Sequence, residues 1–266
     1  MLPIVFLLAQ MVLVADKAGN ELLFFNLETK TVDRSVPVGG NPHEVVATAD
    51  GRLAFTANSG SNTVSVVDVS QAKEVKRLES PLFAYPHGMA IHPDGKTLYL
   101  TSERKKLLVL IDIEHLSIEG QISTEMEGSH MVVLSPSGEW AYITDRGSAR
   151  VTVVDTKKRA IVDQLEAGEG AEGIALSRDG RWLLVGNRRA NDLHLFDAAA
   201  RRFVARIPAA EDPVRVAFSP DGARALVPHR GSSEVHLIDV ASRKLIGALK
   251  TGEEPGGALF LPDGRT

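Results

Sequence analysis

Apolar and polar residues alternate in short runs along the whole chain, and each run closes on a turn. Alternation with a period of two is the mark of a half-buried β-strand, and no 3.6-residue helical period competes with it. One stretch shows the pattern well: strand a over 44–48, b over 53–57, c over 63–68 and d over 74–78. The a–b turn holds Asp50-Gly51, where glycine accepts a positive φ, and the b–c loop holds Ser59-Gly60-Ser61-Asn62.

The pattern repeats. An Asp or Asn closes strand c at Asn26, Asp68, Asp112, Asp155, Asp197 and Asp239, at intervals of 42, 44, 43, 42 and 42 residues. Seventeen residues before each Asp stands a glycine: Gly51, Gly95, Gly138, Gly180 and Gly222. The closing residues are expected to cap the c–d turn by bonding backbone amides. Four strands per unit of roughly 40 residues predict an all-β fold, a β-propeller of four-stranded blades.

The chain ends bear on closure. The N-terminal part reads as strands b, c and d of a blade, and 258–261 as a strand a followed by Pro262-Asp263-Gly264. Joined, they predict six blades, with one composite blade closed by both termini. Ile4 to Leu8 compete for the same slot. If they take it, the C-terminal strand becomes the stump of an incomplete seventh blade. On this reading residues 11–266 form a single propeller domain, and 1–10 are either a signal-peptide remnant, implying export to the periplasm, or an extra N-terminal strand; a cytoplasmic protein is the alternative.

Composition narrows the chemistry. The 266 residues contain no cysteine, which removes disulfides, thiolate catalysis and Cys-ligated metals. A net charge of -4, with no basic stripe, argues against nucleic acid as a partner. No segment is long enough for a membrane-spanning helix. The absence of a CxxCH motif excludes covalent haem.

One repeat position carries the candidate chemistry. The residue 25 before each closing Asp is His43, His87, His130, Glu172 and then Val214, with Arg215 beside it. These positions open strand a, so four consecutive blades are expected to present His, His, His and Glu at the mouth of the central channel. Such a set suits a divalent transition metal (Zn, Cu, Fe, Ni or Mn). The same face collects the ends of strand b, and Glu44, Asn58, Asp145, Asn187, Arg215 and His229 are the expected ligand-binding residues. Asp145 or Glu44 is placed to orient an imidazole, and the arginines to clamp a carboxylate or phosphate. The competing view is that a shared Pro-His is packing chemistry inherited by duplication. Two functions follow: a metal-dependent or acid–base enzyme acting on a small polar molecule, or a non-catalytic propeller binding a protein or ligand on the same face.

The strand-b pieces Tyr142-Ile143-Thr144-Asp145, Tyr99-Leu100-Thr101-Ser102 and Phe55-Thr56-Ala57-Asn58, with the Pro-Asp-Gly turns, resemble the YVTN-repeat propellers related to the cytochrome d1 haem domain. The order Pro-His-Glu, Pro-His-Gly, Ser-His-Met resembles a bacterial, often exported subgroup that is usually seven-bladed. The resemblance implies the fold and leaves the reaction open.

Overall fold

A computed structural model describes residues 4–8 and 11–264. It comprises two compact units, Met1–Glu125 and Met126–Thr266, each with three four-stranded antiparallel sheets. The whole is an all-β, six-blade propeller fold in which each sheet is one blade, and a single turn of 3-10 helix, Glu103–Lys105, interrupts the pattern.

Blade 1 settles the competition between the ends. Its strands are Ile4–Leu8, Met11–Asp16, Glu21–Asn26 and Thr31–Pro37, paired in that order. Ile4–Leu8 therefore fills the strand-a slot, and 258–261 form no strand. The six-blade count stands, but the composite blade built from both termini is corrected: a segment two residues upstream of its partner closes a hairpin at far less entropic cost than one more than 200 residues away. Residues 1–3, 9 and 10, to which the reading of 1–10 extends, lie outside the described residues.

Blade 2 has strands Pro42–Ala47, Leu53–Asn58, Thr63–Asp68 and Lys73–Glu79, within two residues of the expected bounds. Strands b and c are buried on both faces because neighbouring blades pack on each side. Phe55, Val64 and Val66 join the cluster with Met89, Leu98, Leu100 and Val109, while Ala54 and Val67 face Leu13, Leu22 and Phe24. The second unit repeats this: Leu183 and Val185 pack with Tyr142 and Val153, and Leu184 with Val216 and Val227. Strand d is the exposed edge; in blade 2 its charged residues (Lys73, Glu74, Lys76, Arg77, Glu79) discourage edge pairing.

The turn chemistry is as the repeat predicted. Gly51, Gly95, Gly138, Gly180 and Gly222 all have φ between 69° and 76°. Asp68, Asp112, Asp155, Asp197 and Asp239 each accept a backbone N–H three residues on, at 2.7–2.9 Å. Blade 6 departs from the pattern: its strand a shrinks to Ala217–Phe218, plus a lone bridge between Pro213 and His229. Pro228 in the facing strand accepts from Val214 N at 3.1 Å but has no N–H to return, so the ladder breaks there.

Candidate functional site

The four residues singled out at one repeat position share a backbone feature that spacing alone does not reveal. Strand a of blades 2 to 5 carries a register shift between Pro42 and Glu44, between Pro86 and Met89, between Ser129 and Val132, and between Ala171 and Gly173. His43, His87, His130 and Glu172 lie in these shifts. A β-bulge re-aims the side chain it contains. Threonines of strand b fill two of the bulges: Thr101 Oγ1 accepts Gly88 N at 2.8 Å, and Thr144 Oγ1 accepts Met131 N at 3.1 Å while donating to Glu172 O at 2.9 Å.

In the first unit the bulges bring His43, Glu44 and His87 together. The Nε2 atoms of His43 and His87 are 3.0 Å apart, and their ring centroids 3.7 Å. Glu44 Oε1 lies 3.5 Å from His43 Nδ1. One donor atom from each of the three residues lies within 4.8 Å of the others, a spacing that suits a metal ion. His87 is fully buried and Glu44 nearly so, while the His43 side chain keeps 15% of its surface exposed. Tyr85 stacks on His87, with centroids 6.1 Å apart.

In the second unit His130 and Glu172 meet at 3.7 Å, Nε2 to Oε1. The other Glu172 oxygen faces Arg188 Nη1 at 3.3 Å and Arg146 Nη1 at 3.4 Å. Burial alone would raise the Glu172 carboxyl; the bond and charge from His130 and the charges of Arg188 and Arg215 outweigh it and hold the group well below the usual carboxylate range. Arg215 comes close because Gly173 has no side chain: a Cβ there would lie 2.9 Å from Arg215 Cα. Arg188 also grips Asp212 through both Nε and Nη2, a two-pronged pair. The cleft above these groups has a volume of about 520 Å³.

Paired loops set the arginines in place. The residue before strand a has positive φ (Asn41, Tyr85, Gly128, Gly170, Asp212), and its carbonyl accepts the N–H of the residue after strand b. Gly128 O thus holds Arg146 N, and Gly170 O holds Arg188 N, both at 2.9 Å.

The remaining expected residues are placed differently. Asn58, Asp145, Asn187 and His229 are fully buried, and none of them lines the cleft. Asn58 bonds Thr56, Thr63 and Ser65; Asp145 bonds Ser129 at 3.0 Å and Thr152 at 2.6 Å; Asn187 donates to Asp192 at 2.7 Å. These are struts within blades. His229 stacks near His236, centroids 4.1 Å apart, and neither of its nitrogens has a hydrogen-bond partner among the described residues. Sequence reasoning passed over Asp212, Arg189 and Glu211, which line the cleft. Their signal is position alone: Asp212 is the positive-φ residue before strand a, Glu211 precedes it, and Arg189 follows the end of strand b by two residues.

Residues 95–217 match the family model described as the cytochrome D1 heme domain. No curated protein matches the chain. Among solved structures, a chain of Kuenenia stuttgartiensis hydrazine synthase is similar with a TM-score of 0.87 and 22% identity, over 96% of this chain and 87% of that one. At that identity the likeness speaks for the fold. A haem needs flat apolar walls, whereas the cleft in the second unit is walled by guanidinium and carboxylate groups. The cleft does not fit a haem. The chain is an all-β, six-blade propeller, and its residues 95–217 are similar to the cytochrome D1 heme domain.

Proposed function

We propose that this propeller binds a divalent first-row transition ion through His43 and His87, with Glu44 as the supporting carboxylate. The observation that carries the reading is the 3.0 Å approach of the two Nε2 atoms. Around an ion bound at about 2.0–2.1 Å in tetrahedral geometry, two nitrogens stand roughly 3.3 Å apart. A shift of a few tenths of an ångström therefore converts the pair into a chelate. Glu44 lies on the Nδ1 side of His43, where a carboxylate fixes the tautomer that turns Nε2 toward an ion. Glu172, already balanced by guanidiniums, is left out of this set, since an added cation there would meet Arg146, Arg188 and Arg215. When bound, such an ion supplies Lewis-acid polarisation and an activated water.

The same 3.0 Å separation favours one competing reading, a metal-free pair in which one Nε2–H donates to the other imidazole and the propeller is a non-catalytic scaffold. Metal analysis of protein purified without an affinity tag, followed by Co²⁺ titration read by visible absorption, separates the two. The metal reading expects one equivalent per chain, lost in His87→Ala and weakened about tenfold or more in Glu44→Gln. Metal-free protein that takes up no Co²⁺ leaves the scaffold reading in place.

A further inference from the structure

The second unit carries another cavity, of about 440 Å³, that neither the metal pair nor the arginine cleft uses. It falls in the range of small-molecule sites, roughly 300–1,000 Å³. Leu165 and Glu166, at the end of strand d of blade 4 (Ala160–Glu166), form one wall. Blade 5 forms the other, with His194 and Phe196 from strand c (Asp192–Asp197) and Phe203 from strand d (Arg202–Pro208). Arg201, in the turn between those two strands, supplies a guanidinium. The aromatic wall is peculiar to this blade. The residue six after the closing Asp or Asn is Phe203 here, but Val32, Glu74, Ile118, Ile161 and Leu245 in the other blades.

The rings line a slot with room for another flat group. Phe196 and Phe203 meet edge to face with centroids 5.8 Å apart, and His194 meets Phe203 in the same way at 5.1 Å. Phe203 still keeps 48% of its surface exposed, so a ring laid against it gains contact that the fold does not supply. The charges of the lining are decided by their partners. Glu166 is matched by Arg150 across the ladder, Oε1 to Nη1 at 3.2 Å. Burial outweighs the pull of Asp192 and moves the His194 imidazole below its ordinary value, so at neutral pH it adds no charge. The Arg201 guanidinium carbon sits over the Trp140 ring, 4.2 Å from its centre, and the group has no ion pair or side-chain hydrogen bond among the described residues. A guanidinium on an aromatic face keeps its in-plane N–H donors available. An unmatched cation beside aromatic walls is the complement of a flat ring that carries one negative group, and the guanidinium fork matches a planar carboxylate.

We infer that this slot between blades 4 and 5 binds a small aromatic carboxylate, its ring against Phe203 and its carboxylate on Arg201. The cation is held before binding. Asp197 accepts Ala200 N at 2.9 Å, Arg201 N donates to Ala198 O at 3.3 Å, and the Trp140 face supports the guanidinium. Little side-chain ordering is then left to be done when the ligand arrives.

The test uses the full chain after treatment with a chelator, so that metal at His43 and His87 has no part in the outcome. Benzoate, its uncharged counterpart benzamide, and the non-aromatic cyclohexanecarboxylate are titrated by calorimetry and by ¹H–¹⁵N chemical-shift mapping. Benzoate is expected to bind with shifts centred on His194, Arg201 and Phe203. Benzamide is expected to be about tenfold or more weaker, the loss of a charge-assisted hydrogen bond, and cyclohexanecarboxylate roughly three- to tenfold weaker, the loss of an aromatic pair. In Arg201→Gln the benzoate affinity is expected to fall about tenfold or more, and in Arg201→Lys, which keeps the charge and loses the fork, by less. Phe203→Leu is expected to abolish the preference for benzoate over cyclohexanecarboxylate. Arg202→Gln, a change in an exposed neighbour that does not line the slot, is expected to leave benzoate affinity within about threefold. Circular dichroism and the melting temperature establish that each variant is folded. Benzamide binding as well as benzoate, full benzoate affinity in Arg201→Gln, shifts centred on Arg146 and Arg188 instead, or no benzoate binding at tens of millimolar each overturns the proposal.

Discussion

Asp145, Asn58 and Asn187 occupy the same repeat position at the end of strand b, and all three are buried. Two blades use an amide there, which needs no charge; blade 4 uses a carboxyl. Burial pushes Asp145 up to about 7, even though the hydroxyls of Thr152 and Ser129 favour its ionised form. A folded-state value above the ordinary 3.8 means that the native fold binds this proton more tightly than the unfolded chain does. The stabilisation is fully present below pH 4 and is lost as pH rises through 7. Asp145→Asn is therefore expected to gain stability relative to the parent as pH rises from 4 to 7, by on the order of 4 kcal/mol at most, and to show a constant difference above pH 8. Urea denaturation at several pH values measures it. A pH-independent difference would show that the carboxyl is ionised throughout.

At the scale of the element, the laced d–a and b–c loops explain why certain glycines are required. Gly95 and Gly170 both have positive φ, 75° and 72°, but a Cβ on Gly95 would meet nothing within 4 Å, whereas one on Gly170 would lie 2.9 Å from the Arg189 backbone N. Gly95→Ala is expected to cost only the left-handed conformation, about 1 kcal/mol; Gly170→Ala adds a backbone clash and is expected to cost clearly more. Thermal unfolding of the two variants compares them directly. Gly95 was legible from the repeat because its role is local, and the same holds for the Asp caps of the c–d turns. Gly170 was not, because its constraint comes from a loop nearly twenty residues away. The bulges that aim His43, His87, His130 and Glu172 were hidden for a related reason: spacing along one strand carries no information about register against the next. A polar end of strand b reads as facing a ligand because the sequence does not announce the hydroxyls that await it, as Thr63 and Ser65 await Asn58. The histidine and glutamate phase was visible because it depends only on counting.

For the whole molecule, two buried titratable groups of the second unit act in opposite senses. Burial, reinforced by the charge of His236, pulls His229 down to about 4. Its folded-state value lies below the ordinary 6.5, so its contribution is present above pH 6.5 and is lost as pH falls toward 4. Between about pH 4.5 and 6 the native state holds one proton on Asp145 that the unfolded chain lacks, and lacks one on His229 that the unfolded chain carries. The number of protons bound by these two groups is then nearly equal in the two states, and their combined slope of stability against pH is close to zero. Each variant removes one side of the balance. Asp145→Asn is expected to expose the His229 slope, with stability rising by up to about 1.4 kcal/mol per pH unit across this window. His229→Leu, which also removes two unbonded buried nitrogens, is expected to expose the opposite slope of similar size. The double variant is expected to run parallel to the parent, because the two opposed contributions are removed together. Chemical denaturation of the four proteins at half-unit steps from pH 4.5 to 6 decides it: parallel curves for the parent and both single variants would mean that neither group is shifted in the native state, and the balance would not exist.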